Sequence, residues 1–256
     1  MDEKKQNILS EILTDKEIRR YALQINLPGL GIKGQEKIKK SRILVIGAGG
    51  KGSSTLQNLA SAGVGRIGIC DNYPVAEDQL CRQHLYGDSD LGKQKAIISR
   101  QKLLGINHLN EYRLHNVYLT EHNIDLITSE YDILIDTTDN FPTHYLINDT
   151  TVRTGKAFIF GNFEGSTGFV SVFNYKGGPS LRCHFPYPPI EDKKSPDNNF
   201  ACRVIINSVI GSILANEALK VIIGIDTVLN GNMLSVDMVN YKFSLLKITK
   251  NPLNFR

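Results

Sequence analysis

Cysteine is scarce in this chain. Cys70, Cys81, Cys183 and Cys202 are its four cysteines, and no two of them form a Cys-x-x-Cys pair. That spacing supplies no paired thiolates for a metal, and disulfides are not expected in a reducing compartment. Long apolar runs are also missing. No uninterrupted stretch reaches the roughly 20 residues that a bilayer-spanning helix needs, so no membrane partner is expected. Met1-Asp-Glu-Lys-Lys lacks the charged-then-apolar pattern of a secretion signal, and a cytoplasmic location is expected. Charge of one sign is not concentrated anywhere. The net charge is +4 and the lysines are scattered, apart from those between Lys37 and Lys40, which read as a solvated helix end. A basic stripe for nucleic acid is therefore absent, and no internal repeat is visible. What remains is 256 residues with 41% hydrophobic and 22% charged content. Such a chain builds a packed core as one large α/β domain or two small ones.

The most informative segment runs from Ile43 to Asp71. An apolar run, Ile43 to Ile46, enters the glycine cluster Gly47-Ala-Gly-Gly-Lys-Gly52. An amphipathic stretch, Thr55 to Ala62, leaves it, and a second apolar run, Arg66 to Cys70, stops at Asp71. Strand, tight turn, helix and strand in this order form a nucleotide-binding unit. Gly47, Gly49 and Gly52 let the backbone approach a phosphate at a helix N-terminus. Asp71 stands where an acid accepts hydrogen bonds from a ribose. The bland alternative is a glycine-rich turn without a ligand.

Along the rest of the chain, helices are expected over 2–14, from an Asp15 cap to Leu23, and over 32–40, 92–105, 121–128 and 140–153, the last capped near Asp139. Strands are expected over 42–47, 66–70, 111–118, 131–136 and 157–160. The alternation predicts a doubly wound, mostly parallel, Rossmann-like α/β sheet. The pattern changes after Gly161. A strand over 168–175 meets a hairpin-like turn at Gly177-Gly-Pro179. A proline-rich loop spans 184–201, and an apolar helix follows from Val204 to Ile223. Two or three antiparallel strands between Asn230 and Ile248 form an antiparallel C-terminal extension. Loops of that length are functional or disordered.

Several motifs occur together in one order: Arg20-Tyr-Ala-Leu-Gln24, Gly34-Gln-Glu-Lys37, Gly47 to Ser53, Ala62-Gly-Val-Gly65, Leu80-Cys-Arg-Gln83, Asp90-Leu-Gly-Lys-Gln-Lys-Ala96, Asp136-Thr-Thr-Asp-Asn140 and Ala215-Asn-Glu-Ala-Leu-Lys220. With them the chain resembles the ThiF/MoeB/HesA family, bacterial relatives of the ubiquitin-activating enzymes. The resemblance implies a single adenylating domain: N-terminal helices over 1–41, a nucleotide-binding half over 42–165, and a substrate-binding and dimerisation half over 166–256. Residues 184–201 would form a crossover loop, mobile without substrate.

The implied chemistry is ATP-dependent. The C-terminal carboxylate of a ubiquitin-like protein attacks the α-phosphate, giving an acyl-adenylate and pyrophosphate. Gly47, Gly49, Gly50 and Gly52 would cradle the nucleotide, Asp71 the ribose, and Gln79 would join the nucleotide contacts. Arg82 and Lys95 would meet the phosphates, and Asp139 would bind Mg2+. Read alone, Arg82 and Lys95 are surface charges and Asp139 is a helix cap. Cys202, beside Arg203 at a helix start, is either a reactive thiol or an inert one.

The chain departs from the family pattern at several places. Leu23 replaces an arginine that reaches the phosphates of the other subunit of a dimer. Tyr73 replaces an acid, Asp78-Gln79 replaces Ser-Asn, and His144 replaces an arginine. Lys51 stands where an apolar residue is usual, either as a cation near the phosphates or as a solvent-facing chain. The first zinc pair is reduced to Ser180-Leu-Arg-Cys183 and the second has no counterpart in Asn251 to Arg256. Tetrahedral zinc needs four ligands, so no zinc is expected and Cys183 is read as a small packed hydrophobe.

The leading function is activation of a small sulfur-carrier protein for thiamine or molybdopterin synthesis, by a homodimer. One alternative is adenylation of a peptide in specialised metabolism. Another is one subunit of a heterodimer or a binding paralogue. An NAD oxidoreductase follows from the glycine loop alone, and the motifs beyond that loop speak against it.

Overall fold

The computed structural model describes residues 10–187 and 200–255, apart from the side chains of 200–203. The chain enters through α1 (Asp15–Arg20), α2 (Ala22–Ile25) and α3 (Gly31–Lys40). Thr14, not Asp15, caps α1. Its hydroxyl accepts the Glu17 N–H at 3.3 Å and the Glu17 carboxylate accepts the Thr14 N–H at 2.9 Å, a reciprocal capping box. Residues 10–14 are not helical, and the rest of the expected helix over 2–14 lies outside the described residues.

The nucleotide-type half follows as β1 (Arg42–Ile46), α4 (Gly50–Ala62), β2 (Arg66–Cys70), α5 (Lys95–Ile106), β3 (Glu111–His115), α6 (Ile124–Thr128), β4 (Ile133–Asp136) and α7 (Phe141–Thr154). Next come β5 (Ala157–Glu164), β6 (Thr167–Phe173), α8 (Phe200–Ile223), β7 (Asn232–Asp237) and β8 (Lys242–Lys247). Among the described residues one eight-stranded sheet runs in the order β3-β2-β1-β4-β5-β6-β7-β8. Strands β3 through β5 are parallel, and β5 through β8 are antiparallel. The doubly wound sheet and its antiparallel extension are therefore both present. The hairpin, however, is the β5–β6 turn at Gly165-Ser166, where Glu164 pairs with Thr167. The turn at Gly177-Gly-Pro179 leads into a short turn of helix, Leu181–Cys183, and not into a returning strand.

The core follows the period of two that a pleated strand imposes. On β1, Ile43 and Val45 join Leu56 and Leu59 of α4 and Ile206, Ile210 and Leu214 of α8 on one face. Leu44 and Ile46 join Leu134, Ile147, Phe158 and Phe160 on the other. Both faces are covered, as a parallel sheet requires.

By length and composition the 20 residues Val204–Ile223 match a bilayer-spanning helix, with a mean hydropathy of 1.4 in an 18-residue window. The run is not uninterrupted, since Asn207, Asn216, Glu217 and Lys220 fall within it. Ile206, Ile210, Leu214 and Ala218 of this helix are nonetheless fully buried at the four-residue spacing of one helix face. A side-chain carbon added at Gly161 or Gly168 would sit 2.7 Å from Leu214 or 2.3 Å from Ile210, so the helix lies directly on β5 and β6.

Candidate functional site

The strand order reverses between β1 and β4, which have β2 and β5 on their outer sides. In such sheets ligands bind beyond the carboxyl ends of the strands at this switch point. Ile46 is in register with Cys70 and Asp136, so the three strands end level. A cavity of 360 Å³ opens there.

Its floor is the glycine loop. Gly47 has a φ of +94°, a conformation suited to glycine. The next turn closes on itself so tightly that a side-chain carbon at Gly52 would lie 2.1 Å from the Gly47 carbonyl oxygen. Gly52 thus shapes the loop, while Gly47, Gly49 and Gly50 line the cavity. Gly49 caps α4 without a side chain. The first-turn N–H groups and the positive end of the helix therefore face the space a phosphate would occupy.

Asp71, Gln79, Arg82, Lys95 and Asp139 line the same cavity. Asp71 follows β2 and holds the loop in shape. It accepts the Ala48 N–H at 2.7 Å on Oδ2 and the Tyr73 N–H at 2.8 Å on Oδ1. An ionised carboxylate has about four acceptor positions, which leaves capacity for ribose hydroxyls. Lys95, the first residue of α5, donates to Gln79 Oε1 at 2.7 Å, and Gln83 Nε2 donates to the same oxygen at 2.8 Å. Burial draws the Lys95 ammonium below the usual lysine range, with Asp71 opposing. The Arg82 guanidinium has no hydrogen bond or ion pair among the described residues.

Asp139 is exposed to the cavity, and the cap of α7 is Asn140, whose Oδ1 accepts the Thr143 N–H at 3.0 Å. The cap falls one residue beyond Asp139 and leaves that carboxylate to the cavity. Mg2+ is held by one or two carboxylates together with substrate phosphates, and Asp139 is a donor of this kind.

Two features were missed from sequence or left open there. Lys51, the second residue of α4, does not face solvent. It is 3% exposed, lines the cavity, and donates to Thr138 O at 2.7 Å and Gly161 O at 2.8 Å. Burial pulls its ammonium down to about 8, against the opposing charges of Asp136 and Asp139.

The second feature lies just behind the cavity, where Asp136 and His144 form a pair with both side chains 0% exposed and Oδ2 2.6 Å from Nδ1. Asp136 Oδ1 also accepts the Thr138 N–H at 2.9 Å and the Thr138 hydroxyl at 2.7 Å. Burial raises the Asp136 carboxyl, but the charge and hydrogen bond of His144, together with Thr138, outweigh it and hold it below the ordinary range. This pair sets the course of the loop that carries Thr138 and Asp139.

The remaining singled-out residues are dispersed. Leu23, on α2, is 87% exposed and away from the cavity. Tyr73 lines the cavity mouth. Cys202 falls within the first turn of α8, and its side chain lies outside the described residues, as do positions 188–199 of the expected crossover loop. Cys183 is not simply a packed hydrophobe. Its sulfur borders the core but accepts the Asn251 N–H at 3.3 Å, the Ser180 N–H at 3.4 Å and Asn254 Nδ2 at 3.5 Å. Burial pushes this thiol up, and the Asn251 amide with Ser180 and Asn254 brings it below the usual thiol range.

A sulfur carrier protein adenylyltransferase of Thermus thermophilus is 38% identical over 244 residues, covering 93% of this chain and 90% of that protein. A probable adenylyltransferase/sulfurtransferase MoeZ of Mycobacterium tuberculosis is 37% identical over 94% of this chain, which spans 62% of that longer protein. Among solved structures, E. coli MccB with MccA-N7isoASN has a TM-score of 0.79 at 19% identity, covering 92% of this chain and 73% of its own, a likeness of fold. A family model described as the ThiF family matches residues 21–254, and with these relatives it shows that the chain belongs to the ThiF family.

Proposed function

We propose that this protein is an ATP-dependent adenylyltransferase that activates the C-terminal carboxylate of a small ubiquitin-like sulfur-carrier protein. The observation that carries the reading is the convergence of the glycine loop with Asp71, Gln79, Arg82, Lys95 and Asp139 on one cavity at the switch point. ATP brings several negative charges, and the attacking carboxylate is a further anion. The site must hold these charges together before the reaction begins, and preorganised cations do so without reorganisation cost at the moment of reaction.

Asp71 takes the ribose, and the α4 N-terminus takes phosphate oxygens. Lys95, braced by Gln79, and Arg82 stand over the phosphate chain. Asp139 would hold Mg2+, which supplies charge neutralisation at the phosphates when bound. A carboxylate oxygen forms a bond to the α-phosphorus, the bridging bond from the α-phosphorus to oxygen breaks, and pyrophosphate leaves. Residues 42–165 hold the nucleotide and residues 166–256 receive the carrier. The symmetric dimer of the family remains part of the proposal.

The test is carrier-dependent exchange of pyrophosphate into ATP, with a carrier ending in Gly-Gly. The expected result is Mg2+-dependent exchange that Asp139→Ala abolishes while the variant keeps its thermal unfolding temperature. Exchange that proceeds equally well with a short unrelated peptide would overturn the choice of substrate. Absence of exchange with every carboxylate would overturn the activity.

A further inference from the structure

Lys51 places a charge in the glycine loop that the loop's own geometry does not require. Its ammonium is buried and has carbonyl partners only. No carboxylate forms an ion pair with it among the described residues, and the Phe163 ring lies 5.5 Å from Nζ. A buried charge without a counter-ion is costly. Two of its three protons go to Thr138 O and Gly161 O. An ammonium has three donors, so one remains on a side chain that lines the cavity.

Its position across the site is informative. Arg82, Gln79 and Lys95 belong to the segment after β2. The carbonyl partners of Lys51 follow β4 and lie in β5. In the strand order β2-β1-β4-β5, Lys51 therefore flanks the cavity from the side opposite Arg82 and Lys95. The Lys51 side faces the antiparallel half of the sheet and α8. The charged lining consists of Lys51, Arg82 and Lys95 against Asp71 and Asp139. Without Lys51 the cations and carboxylates of the lining cancel, while both substrates of the reaction are anions.

We infer that Lys51 receives the attacking carboxylate of the substrate and holds it beside the α-phosphate. This rests on the adenylating reading above. Thr138 and Gly161 aim the ammonium, and the incoming carboxylate makes the direct ion pair that Asp136 and Asp139, acting at a distance, do not. Phosphate binding stays with Arg82, Lys95 and the loop amides.

The experiment measures binding of two carriers to the enzyme saturated with a non-hydrolysable ATP analogue. One carrier ends in the free carboxylate and the other in the C-terminal amide. Wild type is expected to prefer the carboxylate form. Lys51→Met should lose about 10- to 100-fold in affinity for that form, the size of a lost charged hydrogen bond, and bind both forms alike. Its affinity for the nucleotide should hardly move. A lysine that merely pinned the two carbonyls would weaken nucleotide and both carriers together. Should the methionine variant not fold, Lys51→Gln removes the charge and keeps a donor, and the same loss of preference is expected. Retention of the carboxylate preference in the folded variant overturns the proposal alone. A wild type with no carrier-dependent pyrophosphate exchange overturns the adenylating reading and this proposal with it.

Discussion

Replacing His144 with alanine tests how the site is held from behind. The imidazole is fully buried, 2.6 Å from an equally buried Asp136 Oδ2, and packs edge-on against Phe141 and Phe160 at 5.4 and 5.1 Å. Removing it strands one carboxylate oxygen in the core, and breaking a buried pair by deleting one partner costs about 3–5 kcal/mol. Against a typical total stability of about 5–15 kcal/mol, that is a large fraction. Urea unfolding of both proteins at neutral pH measures it.

The pH dependence adds a second check. In wild type the folded Asp136 carboxyl lies below its ordinary value of 3.8, so its stabilising contribution is complete above that value. The contribution is lost as pH falls through the lower folded value. In His144→Ala burial dominates and raises the carboxyl, so the variant is penalised at neutral pH and relieved as the group protonates. The gap between the two proteins should therefore be widest near neutrality and narrow toward acid. A gap under about 1 kcal/mol at neutrality, the worth of an ordinary exposed contact, would refute the reasoning, as would a gap independent of pH.

Other perturbations separate shape from chemistry. Gly52→Ala places a carbon 2.1 Å from the Gly47 carbonyl oxygen, so the loop must move. Calorimetry should find ATP binding weakened more than tenfold, alongside a stability loss of about 1–3 kcal/mol. Asn140→Ala removes the α7 cap and should cost about 1 kcal/mol in urea unfolding. Asp139→Ala, one residue earlier, should leave stability within about 0.5 kcal/mol and remove the Mg2+ dependence of nucleotide binding. Burial pushes the Cys70 thiol up to about 12, whereas the donors around Cys183 bring that thiol down. Mass spectrometry after brief alkylation at pH 8 should find Cys183 modified well before Cys70.

What the sequence disclosed is what local chemistry encodes. Arg42–Ile46 and Arg66–Cys70 are short apolar runs bounded by breakers, buried on both faces, and their ends could be read almost to the residue. The cap of α7 could not, because Asp139 and Asn140 are equally good capping residues and only the turn geometry chooses between them. The hairpin was misplaced for a related reason. Gly177-Gly-Pro179 is sound turn chemistry, and Asn174 and Lys176 do take positive φ values of 56° and 46° there. Yet β6 pairs with β5 and with β7, whose register joins Ser171 to Met233 across the whole of α8. Lys51 shows the limit most clearly. Its direction is set by carbonyls 87 and 110 positions further along the chain, and no local pattern reports on them.

The late position of α8 has a consequence for how the protein is made. Residues 157–173 supply β5 and β6, but the helix that roofs them begins only at Phe200. Synthesis proceeds from the N-terminus, so a stalled or slowly growing chain exposes the apolar faces over Gly161 and Gly168 that Ile206, Ile210 and Leu214 later cover. The α4 face that meets Gly211, where the Thr55 hydroxyl donates to its carbonyl at 3.0 Å, stays open for the same interval. Until α8 is made, nothing in the preceding chain takes the place of Ile206, Ile210 and Leu214 over these faces.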